Sequence, residues 1–279
     1  MVPDPAEEVA TVQDVLVVTG CGGMGTAVAR RLGAGRAVLL ADVDEVALAA
    51  SAGALRAEGL EVSTRTVDVG RAESVEGLAE AATALGRVGA VVHTAGLSPV
   101  QAPPAAIVHV DLVGTARMLD IFGRVIASGG AGVFVASMAG SMASLDADLE
   151  RRLATVPTAD LAGLPELSEE VLGDAATAYV TAKRANQLRV RAAAGAWGAS
   201  GARVNSVSPG VIATPMGEAE LAGPTGDVMR RMIAASPTGR IGTPHDIAAA
   251  VAFLVGPDAG FVTGTDLLVD GGVVAAMSA

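Results

Sequence analysis

The amino-acid sequence predicts an α/β fold built on a doubly wound parallel sheet of about seven strands. Short runs rich in β-branched residues alternate with longer Ala-, Leu- and Arg-rich segments of helical period along almost the whole chain. Several of these runs are apolar throughout, as expected of strands that helices cover on both faces. No internal repeat and no linker-like segment divides the 279 residues, so we predict a single domain over residues 14–279 with right-handed crossovers.

The predicted strands, in chain order, are residues 15–20, 37–42, 61–68, 90–95, 132–137, 203–208 and 266–270. Helices fill the intervals, and their frequent Ala suits close packing of a helix on a sheet. The last predicted helix has a clear start, because Thr243 is a good N-cap, Pro244 fits the first helical position and Asp246 complements the helix dipole.

One segment, residues 141–175, interrupts the alternation between the fifth strand and the following helix. It contains helical patterns at 145–154 and 167–174 and many of the acidic residues of the chain. We predict a helical insertion that serves either as a lid over a ligand pocket or as an element of a subunit interface. As a lid it would turn apolar side chains to the pocket, namely Met142, Leu145, Leu153, Leu161, Leu164 and Leu167. Residues 1–13 are predicted to form a flexible tail.

Charge and composition exclude several classes of partner. The chain carries 19 basic and 30 acidic residues, a formal net charge of −11, which argues against nucleic acid or an anionic membrane. The single cysteine, Cys21, excludes a disulfide within the chain and suits a reducing cytosol. No apolar run is long enough to span a membrane, and the N-terminal segment is acidic where a signal peptide would be basic. We predict a soluble, cytoplasmic protein, and no metal site.

A glycine-rich turn joins the first predicted strand to a helix. Gly20, Gly22 and Gly25 satisfy G-x-G-x-x-G, and the flanking strand and helix are the context that this motif requires. Glycines let the backbone turn sharply and approach a pyrophosphate, whose charge then meets the free N–H groups and the dipole of the helix start. We therefore predict a dinucleotide site that also includes Gly23 and Met24. The alternative is a tight turn that binds nothing.

Asp42 ends the second predicted strand, 17 residues after Gly25. A carboxylate there can accept hydrogen bonds from both ribose hydroxyls of adenosine, and it repels a 2′-phosphate. No basic residue lies in the glycine turn or directly after Asp42, so we predict NAD as the cofactor rather than NADP. The alternative for Asp42 is a helix cap, a role that Asp44 could fill instead. Asp68 and Val69 are predicted to lie beside the adenine ring, although Asp68 is also typical of a simple turn.

Tyr179 is the only tyrosine and Lys183 the only lysine of the chain, and they lie four residues apart. On a helix this spacing puts both side chains on one face, one turn apart. An ammonium beside a phenol stabilises the phenolate and lowers the pKa of the tyrosine towards working pH. The pair is therefore a candidate for proton transfer; the alternative is an exposed tyrosine and a solvated lysine.

Seven motifs in this order resemble the short-chain dehydrogenase/reductase family over about residues 14–275. They are TGCGGMG at 19–25, DV at 68–69, HTAG at 93–96, S-x-x-G at 137–140, YVTAK at 179–183, NSVSPGVIAT at 205–214 and VDGG at 269–272. The resemblance implies a Rossmann-type sheet and an oxidoreductase. It favours the proton-transfer interpretation of the Tyr179–Lys183 pair.

The resemblance implies that Tyr179 exchanges a proton with a carbonyl or alcohol oxygen, while Lys183 lowers the pKa of the tyrosine and binds the nicotinamide ribose. Ser137 is implied to donate a hydrogen bond to the same substrate oxygen, with Ser141 as a rival for that role. Asp111 stands where the family usually has an asparagine, which completes a proton relay to the lysine partly through its backbone carbonyl. Further cofactor contacts are implied for Thr94, Ala95, Gly96, Pro209, Gly210, Ile212 and Thr214.

Three departures from the family pattern stand out. The glycine turn is one residue shorter than usual, and His93 and Thr94 replace two amides; we predict a structural role for His93. An ionised Asp111 near Lys183 would hold the ammonium charged and offset part of its effect on Tyr179. Activity then either survives with a shifted pH optimum or falls sharply.

Three further features are similar to the bacterial 3α-hydroxysteroid dehydrogenase/carbonyl reductases and the coniferyl-alcohol dehydrogenases. They are the compressed AGLSP…VDLVG segment, the 42-residue gap between Ser137 and Tyr179, and AWGASGARVNSVSPG. We predict an NAD(H)-dependent oxidoreductase that interconverts a secondary or allylic alcohol and its carbonyl on a small hydrophobic substrate, such as a steroid-like or aromatic one. We also predict that the protein forms a homo-dimer or homo-tetramer. The main alternative is a catalytically weak NAD-binding regulatory or structural protein. A sugar epimerase or dehydratase would need a larger C-terminal region, and an enoyl reductase would set Tyr and Lys farther apart.

Overall fold

Seven strands form one parallel sheet in the order β3-β2-β1-β4-β5-β6-β7. The computed structural model describes residues 13–278, so the predicted tail lies outside the described residues except for Gln13. The strands are β1 (Asp14–Thr19), β2 (Ala37–Asp42), β3 (Val62–Thr66), β4 (Arg87–His93), β5 (Ala131–Val135), β6 (Arg203–Pro209) and β7 (Asp266–Val269). The predicted doubly wound α/β fold is confirmed.

Helices connect the strands throughout the described residues. They are α1 (Gly23–Leu32), α2 (Glu45–Ala57), α3 (Ala72–Leu85), α4 (Pro104–Ile107), α5 (Thr115–Val125), α6 (Met138–Ser141), α7 (Ala147–Thr155), α8 (Thr158–Leu161), α9 (Glu169–Leu172), α10 (Ala175–Ala199), α11 (Pro215–Ala222), α12 (Gly226–Ala235), α13 (Pro244–Val255) and α14 (Val273–Met277). A π-helical turn, Val108–Gly114, joins α4 to α5, and 3₁₀ turns occur at Pro165–Leu167 and Pro257–Ala259. None of the helices in residues 13–278 has the length and apolar character needed to cross a membrane.

Strand β1 illustrates why the central strands are apolar throughout. Val15 and Val17 enter one core and Leu16 and Val18 the other, because successive side chains of a strand point to opposite faces. Helices α3, α5 and α10 cover the first core, and α1, α2 and α13 cover the second. Helices therefore pack on both faces of the sheet, as the apolar strands predict.

Local sequence signals predict most boundaries of the helices and strands, but not all of them. Thr243 and Asp246 form a reciprocal capping box at the start of α13, as predicted. β4 begins at Arg87, three residues before its predicted start, because Arg87 lies in register with Asp14 of β1 and their side chains form an ion pair at 2.7 Å. The short helix α14, after β7, was not among the predicted elements.

The predicted insertion folds into α7, α8 and α9 and packs on α10. Leu153, Leu161 and Leu167 are buried in a cluster with the alanines of α10, and Leu145 and Leu164 pack against the same cluster. Met142 stays exposed. Most of the apolar side chains that a lid would turn to a pocket thus face the helix that carries Tyr179.

Two arginines of α10 hold the insertion in place. Arg184 forms an ion pair with Glu150 of α7 at 2.6 Å. Arg189 is buried and donates hydrogen bonds of 3.0 Å to the carbonyls of Leu153 and Val156, at the C-terminal end of α7. A cation at this end complements the helix dipole and satisfies carbonyls that have no partner within the helix.

Candidate active site

A cavity of about 480 Å³ opens at the carboxyl ends of the sheet strands, where open α/β sheets bind ligands. Many of the predicted cofactor residues line it, namely Gly20, Gly22, Gly23, Met24, Gly25, Asp42, Asp68, Val69, Thr94, Ala95, Gly96 and Thr214. The structure therefore brings the glycine turn, the end of β2 and the segment after β4 together around one space.

The glycine turn can be built only with glycines at two of its positions. A Cβ on Gly25 would collide with the carbonyl oxygen of Gly20, and Gly20 has φ +88°, a conformation that favours glycine. A Cβ on Gly22, the N-cap of α1, would meet nothing within 4 Å. Open space therefore lies directly in front of the N-terminus of α1, and a pyrophosphate fits that position.

Asp42 is held in place by the turn that precedes it. Its Oδ2 accepts hydrogen bonds from the backbone N–H of Cys21 at 2.7 Å and from the Cys21 thiol at 3.1 Å, and its Oδ1 accepts one from the N–H of Asp44. Burial and the Asp42 carboxylate raise the pKa of Cys21 to about 12, so the thiol stays protonated as a donor. Asp44, not Asp42, caps α2, which leaves Asp42 free to face the cavity.

The two unusual residues of the HTAG segment, His93 and Thr94, both form structural hydrogen bonds. The Thr94 hydroxyl donates to the carbonyls of Thr19 and Gly20 at 3.0 and 2.9 Å and so ties the glycine turn to β4. His93 is buried between the hydroxyls of Thr19 and Thr115. Burial lowers the pKa of His93 to about 3, so this side chain is neutral.

The remaining predicted cofactor residues are distributed differently. Asp68 accepts a hydrogen bond from the N–H of Gly70 at 2.8 Å, so it forms a turn as well as lining the cavity. Pro209 is buried at the end of β6. Gly210 and Ile212 line a second cavity of about 190 Å³, and the structure does not bring these two into the larger one.

Tyr179 and Lys183 lie on one face of α10, with the Lys183 ammonium nitrogen 5.3 Å from the centre of the tyrosine ring. Ser137 is the N-cap of α6 and lies close enough to Tyr179 to lower the pKa of its hydroxyl. Gly140 makes this approach possible, because a Cβ there would stand 2.8 Å from the backbone of Lys183. Ser141 instead accepts a hydrogen bond from Gln187 at 3.0 Å.

Asp111 forms a buried ion pair with Lys183, whose Nζ lies 3.0 Å from Asp111 Oδ2. The other carboxylate oxygen accepts a hydrogen bond from the N–H of Leu97 at 2.7 Å. Burial opposes the charge on Lys183, but the Asp111 carboxylate and Tyr179 outweigh it and raise the pKa of Lys183. Burial also raises the pKa of Tyr179, and Lys183 and Ser137 offset part of that rise.

The backbone carbonyl of Asp111 is already occupied. It accepts hydrogen bonds from the Thr115 hydroxyl at 2.6 Å and from the side-chain amide of Asn186 at 2.9 Å. Asn186, which sequence reasoning missed, lies three residues after Lys183 on the same face of α10 and is buried. That spacing is a signal that could have identified it. The Thr115 hydroxyl and the Asn186 amide thus both bond to the carbonyl that the family resemblance implied as part of a proton relay.

Comparisons with known proteins agree with this geometry. A family model described as short chain dehydrogenase matches residues 13–147, and one described as Enoyl-(Acyl carrier protein) reductase matches residues 162–274. The chain is 40% identical over 268 residues to the short-chain dehydrogenase/reductase bsc3 of Alternaria brassicicola, covering 95% of this chain and 97% of that protein.

A second relative, the 3-alpha-hydroxysteroid dehydrogenase/carbonyl reductase of Comamonas testosteroni, is 29% identical over 269 residues and covers 94% of this chain and 97% of that protein. Among solved structures, the actinorhodin polyketide ketoreductase with NADPH superposes with a TM-score of 0.74 at 26% identity, covering 94% of this chain and 97% of that one. With its parallel seven-stranded sheet, its glycine turn and its Ser137–Tyr179–Lys183 cluster, the chain belongs to the short-chain dehydrogenase/reductase family.

Proposed function

We propose that this chain is an NAD(H)-dependent oxidoreductase that interconverts a secondary or allylic alcohol and its carbonyl on a small substrate with a hydrophobic frame. The observation that carries the proposal is the clustering of Ser137, Tyr179 and Lys183. The cluster lies next to the cavity that the glycine turn borders, because Gly96 lines that cavity and a Cβ on it would stand 3.2 Å from Lys183 Nζ. Its family consists of oxidoreductases that act on alcohols and ketones and bind a nicotinamide cofactor.

The chain's own residues supply positioning and proton transfer. When bound, the cofactor supplies or accepts a hydride at the substrate carbon. Ser137 donates a hydrogen bond that holds the substrate oxygen next to Tyr179. In reduction Tyr179 gives its proton to that oxygen, and in oxidation the phenolate takes it back. Lys183 stabilises the phenolate through its charge.

The direct test is spectrophotometric. Purified protein with NAD and a panel of secondary alcohols, including steroids, aryl alcohols and simple cyclic alcohols, should give NADH absorbance. The corresponding ketones should consume NADH. Tight NAD binding without turnover of any member of the panel would instead favour a catalytically weak NAD-binding protein. The buried Asp111–Lys183 ion pair is the feature that favours this second candidate.

The cofactor preference is predicted to depend on Asp42. Within residues 13–278, no Lys or Arg lines the cavity, and the Asp42 carboxylate would repel a 2′-phosphate. We expect calorimetry to give a much smaller dissociation constant for NAD than for NADP, and Asp42→Ala to narrow the difference. Glu45→Ala is the matched control, because Glu45 is an exposed carboxylate in the first turn of α2 that does not line the cavity. Similar dissociation constants for the two cofactors in the wild type would contradict NAD preference.

Asp111 is predicted to set the pH dependence of alcohol oxidation. Its carboxylate raises the pKa of Tyr179, so Asp111→Asn should lower that pKa. Oxidation needs the phenolate, and its rate rises with pH through the pKa of Tyr179; the rise should therefore move to lower pH in the variant. Rates at saturating NAD measured from pH 6 to pH 11 will reveal the shift. Superimposable profiles would mean that Asp111 does not influence Tyr179.

We infer that the chain assembles as a homo-dimer or homo-tetramer and that the insertion takes part in this assembly. β7 is an edge strand of the sheet, and the unpaired backbone groups of an edge strand can pair with another chain; Phe261, a few residues before β7, is fully exposed. The leucines of the insertion face α10 rather than a cavity. Replacing residues 143–173 by a short loop should change the sedimentation mass and leave Michaelis constants for bulky substrates unchanged. Altered Michaelis constants with an unchanged sedimentation mass would instead support a lid.

A further inference from the structure

Glu220 is a carboxylate near the catalytic residues that the mechanism does not use. It lies in α11, four residues after Met216, which lines the cofactor cavity. Residues four apart on a helix share a face, so Glu220 faces the same side as Met216. It is half-buried, and none of the ion pairs within residues 13–278 includes it.

The segment after β4 lies opposite α11 and leads directly to the Tyr179–Lys183 pair. A Cβ on Gly96 would stand 3.2 Å from both Lys183 Nζ and Asp111 Oδ2. Farther along, Val100 packs against the end of α11, since a Cβ on Gly223 would stand 3.3 Å from its Cγ1. The end of α11 and the ammonium of Lys183 therefore border the same short stretch of chain.

Ser98 lies in the middle of this stretch. It is fully buried, and its hydroxyl has no hydrogen-bond partner in the described part of the chain. The hydroxyl is close enough to the Glu220 carboxylate to lower its pKa, although it forms no hydrogen bond with it. A buried donor without a partner costs free energy unless a ligand or water satisfies it.

The charges agree with this placement. Burial raises the pKa of Glu220, and Ser98 and the Lys183 ammonium lower it in part. The Glu220 carboxylate in turn contributes to the raised pKa values of Tyr179 and Lys183. Glu220 is thus close enough to the proton-transfer pair to influence it electrostatically.

We propose that Glu220 is a specificity-determining residue of the substrate site. It favours an alcohol or ketone that carries a second hydrogen-bond donor, either a hydroxyl or an ammonium group, and it disfavours one that carries a carboxylate. The inference rests on the proposed function, because it takes the space beside Tyr179 as the substrate site. A donor on the substrate satisfies the half-buried carboxylate, whereas an anion is repelled by it.

The test compares three cyclohexanols that differ only at position 4, where they carry an amino group, a hydroxyl or a carboxylate. Calorimetry measures their dissociation constants for the wild type and for Glu220→Gln in saturating NADH, or in NADPH if that is the reduced cofactor bound. The wild type should bind the amino compound about 10–100-fold more tightly than the carboxylate. In Glu220→Gln this ratio should fall below about threefold.

Glu218→Gln is the matched control. It removes the same charge from the same helix, at a position that is exposed. The inference is overturned if the wild type binds none of the three or binds all equally. It is also overturned if Glu220→Gln keeps the full ratio, or if Glu218→Gln reduces it as much. Turnover is measured separately: the expected ranking in binding without any turnover would contradict the proposed function alone.

Discussion

Replacing Tyr179 by Phe is expected to lower turnover of an alcohol substrate by roughly 10²–10⁴-fold and to leave cofactor binding unchanged. The substitution keeps the ring, which packs against the cluster shared by α10 and the insertion. It removes only the hydroxyl, which lies near Ser137 and which we propose exchanges the proton with the substrate. Initial rates at saturating alcohol and cofactor measure the loss, and calorimetry measures the cofactor affinity.

Thr177→Val is the matched control for this substitution. It also removes one hydroxyl from α10, at an exposed position two residues earlier, and should leave turnover unchanged. Near-normal turnover by Tyr179→Phe on an authentic substrate would rule out the proposed proton transfer. A loss of cofactor affinity as large as the loss of turnover would instead place Tyr179 mainly in the binding of the cofactor.

Replacing Lys183 by Met is expected to abolish measurable turnover, weaken cofactor binding and destabilise the fold by about 3–5 kcal/mol. Methionine has a similar length but no charge, so Asp111, which is 0% exposed, would lose its ion-pair partner. A buried carboxylate without a partner is unfavourable. Urea unfolding at pH 8 measures the free energy of unfolding, and initial rates measure the turnover.

The destabilisation should shrink as the pH falls. Burial already raises the pKa of Asp111, and the charge of Lys183 opposes that rise; without Lys183 the pKa rises further. As the pH falls, the carboxyl takes up a proton and becomes neutral, so the deficit is largest above its folded-state pKa. Unfolding measured at pH 5 and pH 8 tests this sign.

A double variant separates the structural role of Lys183 from its chemical one. Adding Asp111→Asn to Lys183→Met removes the unpaired charge, and it should restore most of the free energy of unfolding without restoring turnover. If Lys183→Met alone is as stable as the wild type at pH 8, the Asp111–Lys183 ion pair does not stabilise the fold. If the double variant regains turnover, Lys183 has no part in the chemistry.

Features encoded by neighbouring residues could be predicted from the sequence. The alternation of strand and helix, the glycine turn at Gly20–Gly25 and the cap at Thr243 each depend on a few consecutive residues, and the structure has all three. The spacing of Tyr179 and Lys183 belongs to the same class, because four residues on one helix determine one shared face. Backbone hydrogen bonding and steric limits operate over such short distances, so these features need no knowledge of the rest of the fold.

Boundaries and pairings that depend on distant segments could not be predicted in this way. The start of β4 at Arg87 is determined by its register with Asp14, 73 residues earlier. The insertion was recognised as helical, but its leucines pack on alanines of α10 that no local pattern connects to them. The packing of the whole core decides which apolar face of one helix contacts which face of another element.

Sequence alone therefore determined the fold class and the Tyr179–Lys183 pair, both of which follow from periodicity and spacing. Tertiary structure alone decided what surrounds that pair. It brought the Asn186 amide to the carbonyl of Asp111, 75 residues away, and the end of α11 to the segment that holds Ser98. The pKa of a catalytic group depends on every charge and donor within a few ångströms, and these neighbours come from separate elements. Only the close packing of those elements brings them within that distance.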